Sequence, residues 1–427
     1  MRIADKTGFL ELISVISVGC LAFSVSLGVA LVSLSCLLVV LASFFNFGVD
    51  SLNKSVSELV PNQLTRLNKL FTVWAIFLGL VWIVLSITWS IASWHQIGLE
   101  LIRSVRLLVI PLVFYIIRTP QQALKILNYW VCGQIFVLIC SYGLWLGFPE
   151  PWATSSDAIT YFTPFSNTLD QPIMSSVAFA LIWFFRDHLS STWYKAIGFK
   201  NILHAQILIA VVLVLLFLNV CFLMIGRSGM LSMIIVITLV GWWCLPSKFK
   251  KYVFFLPFLI FGALYMSSQN FHDRIQKIPY EISEYQNSKI ETSQAIRLEF
   301  WHRSIQAIED KPILGYGVGG WPSAYILALK GEQGIQADSP HQQFLLWWVE
   351  GGTIGFIFLL AIYLSIIRDS LSLENPAKFA LISLMAVLTF TSLMNCPLQG
   401  AGISEFFCVA IGTLLVFRKS STSNNPA

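Results

Sequence analysis

Three side chains in this chain join charge or basicity to a place at the edge of apolar sequence: Arg227, Arg297 and His341. Arg227 lies in Gly226-Arg227-Ser228-Gly229, between two apolar runs with almost no polar loop around it. A guanidinium so placed is costly unless water or a partner meets it. One reading is an arginine snorkelling to the interface. The other is a cation aimed at an anionic ligand, a task that suits arginine because its planar fork stays charged and grips phosphate oxygens bidentately. Arg297 alone reads equally as an ordinary surface arginine; paired with Arg227 it gives two fixed cations able to hold a pyrophosphate. A lone histidine such as His341 is commonly structural. Yet imidazole takes up a proton near neutral pH, and the junction of a polar loop with an apolar run makes His341 the best base on offer. His95, His188, His204, His272 and His302 lack that combination.

Other chemistries find little support. There is no D-x-D, no H-E-x-x-H and no carboxylate cluster, so no metal and no cofactor is called for. The run Gly315-Tyr316-Gly317-Val318-Gly319-Gly320 formally matches a dinucleotide fingerprint, but a helix rather than a strand precedes it, so it reads as a tight turn. Buried acids are expected to be few, mainly Glu350 and Glu405, with Asp170 near the start of an apolar run; ion-coupled transport needs more. Eight cysteines without a C-x-x-C suggest neither a disulfide scaffold nor a zinc site.

The elements that must position these groups are membrane helices. Of 427 residues, 56% are hydrophobic and only 11% charged, and the mean hydropathy is +0.73. Soluble domains carry about a quarter charged residues. The apolar runs are continuous rather than alternating, which favours an all-α, polytopic membrane protein over a barrel. Runs near 8–26, 29–47, 71–91, 104–117, 127–147, 172–186, 205–225, 228–244, 252–267, 341–367, 377–395 and 401–417 suggest about twelve spans. The first reads as an uncleaved helix rather than a signal peptide.

Lys and Arg in short loops set the orientation. Arg2 and Lys6, then Lys54, Arg66 and Lys69, Arg118 and Lys125, Arg186, Lys195 and Lys200 fall on one side, with Lys248, Lys250, Lys251, Arg368, Lys378, Arg418 and Lys419. The opposite side has only Arg103, Arg106 and Arg227 in or beside its short loops, so both termini are expected in the cytoplasm. The net charge of +5 follows from that topology and implies no nucleic-acid partner. The chain divides into spans over 1–267, a large outer loop over 268–340, spans over 341–418 and a polar tail from 419, read as disordered. A second outer segment, 148–171, reads as a loop with Trp152 as an interfacial anchor. In the large loop, 290–309 reads as a helix ended by Lys311-Pro312, with Leu298, Trp301, Ile305 and Ile308 as its apolar face and Arg297 one turn from Trp301.

The succession Gly226-Arg227-Ser228-Gly229, Arg297-x-x-x-Trp301, Pro312-Ile313-Leu314-Gly315-Tyr316-Gly317, His341-x-x-x-Leu345 and Glu350-Gly351-Gly352-x-Ile354-Gly355 resembles the O-antigen ligase family. That family also holds O-antigen polymerases and protein O-oligosaccharyltransferases. The likeness is strongest over about 215–360. It implies a metal-independent, GT-C-like glycosyltransferase of the Gram-negative inner membrane with a periplasmic active site. The expected donor is an undecaprenyl-pyrophosphate-linked glycan and the acceptor lipid A–core, with membrane lipids around them. Carried over by motif, Arg227 and Arg297 hold the donor pyrophosphate and His341 deprotonates the acceptor hydroxyl, with Trp301, Arg303 and Gln342 as supporting residues. Gln342 departs from the asparagine expected after the histidine. The chemistry suits these residues on its own terms. Pyrophosphate leaves readily, two arginines can stand in for a metal, and a base on the far face gives single displacement with inversion. Protein O-oligosaccharyltransferases are often longer, with an added outer domain, so a ligase is the first expectation and a polymerase the second. A polysaccharide or lipid exporter is the reading from another class, disfavoured because transporters tend to show pseudo-symmetric halves.

Overall fold

The computed structural model describes residues 3–52, 63–149, 151, 153–286, 292–332, 334–335 and 337–419. Arg2, Lys54, Trp152 and the tail from 420 lie outside the described residues, as does the side chain of Lys6. The chain begins with α1 (Ile3–Ser24), α2 (Val29–Leu52), α3 (Gln63–Asn68), α4 (Phe71–Leu85), α5 (Trp94–Val105) and α6 (Val109–Ile116). It continues with α7 (Pro120–Trp145), α8 (Ala158–Tyr161), α9 (Asp170–Phe184), α10 (Arg186–Ile197), α11 (Ile202–Leu218) and α12 (Arg227–Cys244). Then follow α13 (Leu256–Ser267), α14 (Gln269–Gln286), α15 (Ser293–Asp310), α16 (Trp321–Ala328), α17 (Gln343–Ser370), α18 (Asn375–Met394) and α19 (Ile403–Leu415). Among the described residues there is no strand, only an isolated bridge between Leu373 and Arg418.

Every apolar run named above coincides with helix, but not every one is long enough to cross a bilayer. Among the described residues, 8 helical stretches are long and apolar enough, and Leu12–Ser24 and Ile403–Leu415 are shorter apolar helices. The run 104–117 is the clearest departure. It folds as the end of α5, a 3₁₀ turn over Arg106–Leu108 and the 8-residue α6. Polar side chains mark that 3₁₀ turn: Arg106 donates to Gln399 O at 2.8 Å and pairs with Glu405 at 3.0 Å. α9 is likewise only 15 residues long.

Helix ends follow local chemistry. Thr119 caps α7 in a capping box with Gln122, Pro120 stands in its first turn, and Ser93 and Gln96 do the same for α5. Packing between the spans uses small residues. Ser176 of α9 donates to Gly229 O of α12 at 3.0 Å, as expected where helices in lipid meet through close backbone approach. Large apolar side chains such as Phe77, Val81, Ile139 and Leu364 point outward, where a soluble protein would hide them.

The bundle has two chemically distinct ends. At one, Arg66 donates to Arg118 O (3.1 Å), Arg418 to Lys69 O (3.0 Å), and Asp369 accepts from Thr72. At the other, Ile91 N donates to Tyr316 O at 3.1 Å, and the polar segment between α13 and α17 folds over it. That segment holds α14, α15, α16 and the glycine-rich turn. The turn lies against α17 where Gly352, at φ 63, kinks it; a Cβ on Gly352 would meet Ile313 O at 2.0 Å, so a side chain has no room there. α15 spans Ser293–Asp310, close to its expected place, but its buried face is Ala295, Glu299, Phe300, Ser304 and Ala307. Of the face expected from Leu298, Trp301, Ile305 and Ile308, Ile308 packs against the core beneath the helix, Leu298 and Trp301 are half-buried, and Ile305 is 50% exposed. The core under α15 is aromatic: Phe300 meets Trp321 and Tyr325 edge-on at 5.4 and 5.2 Å.

Candidate functional site

Arg227 is the first residue of α12, placed there because a single π-helical turn over Asn219–Leu223 ends α11 and Met224 leaves it extended. The glycines on either side let this turn press on the start of α9. A Cβ on Gly226 would stand 2.4 Å from Thr168 O, and one on Gly229 2.1 Å from the Pro172 Cβ. The guanidinium is thereby turned toward the polar segment, with 18% of the side chain exposed, and it grips Glu281 of α14. Nη1 donates to Oε2 and Nη2 to Oε1, each at 3.0 Å. The competing reading of a snorkelling arginine does not describe this: the fork is engaged bidentately by a carboxylate.

Arg297, on the first turns of α15, is half-buried and close enough to Arg227 and Glu281 to feel both charges. Burial pushes its guanidinium pKa down, Arg227 adds to that, and Glu281 opposes it. Among the described residues Arg297 has no ion-pair partner. His341 follows in the same electrostatic chain. Burial pushes its imidazole below the ordinary 6.5, Arg297 pushes it further, and a hydrogen bond with Asn395 opposes them. Its Nδ1 lies 3.4 Å from Asn395 Oδ1, and its ring stacks on Phe300 at 6.1 Å. The backbone of His341 is left-handed, φ 51, a conformation uncommon for residues other than glycine. The structure therefore brings Arg227, Arg297 and His341 together at one end of the bundle, opposite the Arg66–Arg118–Arg418 end.

The three supporting candidates fare differently. Trp301 donates from Nε1 to Pro340 O at 3.1 Å, fixing the residue before His341. Gln342 caps α17 by accepting from Leu345 N, so its side chain is committed to the helix end. Arg303 points elsewhere: it binds Glu299 at 2.6 Å and Ala328 O at 3.1 Å, and also Glu332, tying α15 to α16. Two residues escaped the sequence reading, Glu281 and Asn395. Asn395 ends α18 just before Cys396-Pro397, a place where a polar residue at a span end carries a faint signal; Glu281 has none, being one acid in a polar segment.

Buried acids are more numerous than expected. Glu100, Asp170, Glu281, Glu299, Asp369 and Glu405 are all under 9% exposed. Each has a cation or hydrogen-bond donor, as in Thr72 Oγ1 to Asp369 at 2.8 Å, a pairing across 297 positions that is invisible in one dimension. Glu350 is half-buried and accepts from Trp321 N, anchoring the glycine-rich turn. All eight cysteines are free. Among the described residues no group of three His, Cys, Asp or Glu gathers where it could hold a metal ion.

Chemically, the site offers two guanidinium groups, one carboxylate and a neutral-leaning imidazole at the edge of an apolar bundle. That set can bind an anion carrying more charge than the single carboxylate, with a proton acceptor alongside.

Comparison with known proteins agrees with the motifs. Over 88 residues, 20% of this chain and 22% of the other, the chain is 31% identical to a Haemophilus influenzae protein named only as uncharacterized. The match thus spans about a fifth of that relative's length. A family model described as O-antigen ligase matches residues 211–360, the stretch that holds Arg227, Arg297 and His341. The chain is a multi-pass, all-α membrane protein whose residues 211–360 match the O-antigen ligase family model.

Proposed function

We propose that this chain is a metal-independent, inverting glycosyltransferase. In this reading it moves an O-antigen polysaccharide from undecaprenyl pyrophosphate to lipid A–core at the periplasmic face of the inner membrane. The observation that carries the reading is the convergence of Arg227, Arg297 and His341. The family domain supports glycosyl transfer, and the number of apolar helices supports a lipid-linked substrate.

The chemistry runs as one displacement. The donor diphosphate lies between Arg227 and Arg297, which take up charge as the bond from the anomeric carbon to phosphate oxygen breaks. An acceptor hydroxyl attacks the opposite face of that carbon and passes its proton to His341. With Nδ1 directed at Asn395 Oδ1 (3.4 Å), Nε2 is the nitrogen that accepts it. A lowered pKa keeps the imidazole neutral and ready at physiological pH. The electron pair leaves on the lipid diphosphate, and the configuration inverts.

The test is His341→Ala in a strain whose only copy of the gene carries it. The protein inserts at normal level while glycan transfer falls by about 100- to 10,000-fold, the usual worth of a general base. A gel then shows bare core with lipid-linked polymer still present. Normal lipopolysaccharide refutes the base assignment. Core capped with a single repeat in a deletion strain redirects the reading to a polymerase, and unchanged lipopolysaccharide with unglycosylated pilin to protein transfer.

A further inference from the structure

We infer that Glu281 is a stand-in anion: in the empty enzyme it holds the place at Arg227 that a donor phosphate takes, so donor binding is an exchange of carboxylate for diphosphate. The inference rests on the reading that Arg227 and Arg297 hold the diphosphate. Its first support is geometric. The two parallel contacts of 3.0 Å between Arg227 and Glu281 are the fork arrangement that arginine uses for phosphate and carboxylate alike. Whatever anion next uses that fork must first remove Glu281.

The second support is charge balance. Arg227 and Arg297 lie close enough to repel, and Glu281 neutralises only one of them. Exchange for a diphosphate, with at least two negative charges, satisfies both guanidinium groups. Exchange for a singly charged anion leaves the imbalance as it was. The direction of exchange therefore favours the lipid diphosphate and leaves weak ambient anions outside.

The third support is the way α14 is anchored. Its inner half is tied to the π turn after α11: Ser268 donates to Cys221 O at 2.7 Å, Asn270 to Phe222 O at 2.9 Å, and Phe271 is 1% exposed. Pro279 then lies inside the helix, removing one N–H from the ladder and crowding the turn before it. Beyond it, Tyr280 is 62% and Ile282 40% exposed, whereas Glu281 is 8% exposed. Among residues 280–283, Glu281 is the buried one, and the hydrogen bond that Pro279 cannot make leaves α14 a place to bend when the carboxylate is displaced. After transfer, Glu281 competes for Arg227 again and speeds departure of the product lipid diphosphate. It is a positioning residue, acting through Arg227 rather than on the reacting atoms.

The experiment uses the full chain in detergent, titrated with inorganic pyrophosphate at fixed pH and ionic strength. Glu281→Gln keeps the shape and removes the charge. Pyrophosphate then binds about tenfold tighter, because the displacement no longer taxes the apparent affinity. In transfer assays KM falls while kcat does not rise, the split expected when product release is slowed. A merely structural Glu281 gives the reverse, weaker binding and higher KM, and that result overturns the inference, as does unchanged affinity. Glu281→Asp, whose shorter carboxylate cannot hold both contacts but keeps the charge, gives a smaller gain in the same direction and serves if the glutamine variant does not fold. Arg227→Ala separates the two ideas. If it binds pyrophosphate as well as wild type, the diphosphate reading of Arg227 fails. If it loses binding while Glu281→Gln gains nothing, the exchange alone fails.

Discussion

The contact between α9 and α12 offers the sharpest handle on whether backbone packing aims Arg227. In Gly229→Ala the added Cβ would stand 2.1 Å from the Pro172 Cβ and 2.9 Å from the Pro172 carbonyl carbon, whereas ordinary contact begins at 3.4 Å. Neither neighbour is the loose end of a side chain, so the two helices must part by about 1.3 Å at this level. The hydrogen bond from Ser176 to Gly229 O, 3.0 Å at present, stretches beyond useful range. Overpacking of this kind costs about 1–3 kcal/mol of stability, which a multi-span bundle tolerates. Its consequence at the site is larger, because Arg227 is only two residues away on the same turn. A misplacement near 1 Å costs a reacting constellation about 100-fold. The expected outcome is a protein that inserts and unfolds a few degrees early, with kcat/KM for glycan transfer reduced about 100-fold and weaker pyrophosphate binding. Gly241→Ala, at the far end of the same helix, is the control. Its Cβ meets only the Leu256 Cδ2, at 2.9 Å, and that side chain can swing away. A Gly229→Ala enzyme that transfers and binds pyrophosphate like wild type shows that the α9–α12 crossing does not aim Arg227, and this account of the site is then wrong.

Two further outcomes follow from the same geometry. Lysine for Arg227 or Arg297 retains charge but loses the planar fork, so each variant loses about tenfold or more in kcat/KM, the worth of one charge-assisted hydrogen bond; full activity of both lysine variants excludes bidentate phosphate binding. The pH dependence gives opposite shifts for two neighbours of His341. The neutral imidazole is the active form, so activity rises as pH climbs through a midpoint below 6.5. Arg297→Gln removes a cation that depresses that midpoint and moves it up, while Asn395→Leu removes a bond that raises it and moves it down. Equal midpoints in all three enzymes, read from kcat/KM profiles, detach His341 from the titration.

Much of the site was legible in the residues because its members sit where sequence grammar changes. Arg227 stands alone between two apolar runs, and His341 stands at the polar edge of one. Arg297 and Trp301 share a face of a helix whose end Pro312 dictates. What stayed hidden depends on contacts between distant segments. Glu281 finds Arg227 across 54 positions of the chain, and His341 finds Asn395 across another 54. No local pattern marks either pair. The centre of the packed face of α15 has a related cause: four apolar residues at helical spacing define a stripe, of which Ile308 packs inward, but Phe300 and its small neighbours fit the aromatic core of α16. The shortness of α6 was hidden as well. Arg106, in the 3₁₀ turn that precedes α6, is held by Glu405 and the Gln399 carbonyl, and neither is near it in sequence.

The two sides of the proposed site differ in stiffness, and the difference matches their proposed tasks. A left-handed histidine backbone persists only where its surroundings over-determine it. Here they do. Trp301 holds Pro340 O at 3.1 Å, and Gln342 is spent on the α17 cap. Gln343 N donates to Asn395 O at 3.1 Å while its side chain accepts from Leu398 N at 3.1 Å. Those bonds bind α15, α17 and the segment after α18 around one residue, so the base is fixed before any substrate arrives, as preorganised catalysis requires. The partner of Arg227, by contrast, follows Pro279 on α14 and stands between the exposed Tyr280 and Ile282. A base that cannot wander and a carboxylate that can be pushed aside suit a reaction in which a long lipid-linked donor must enter, react in one alignment and leave as a diphosphate.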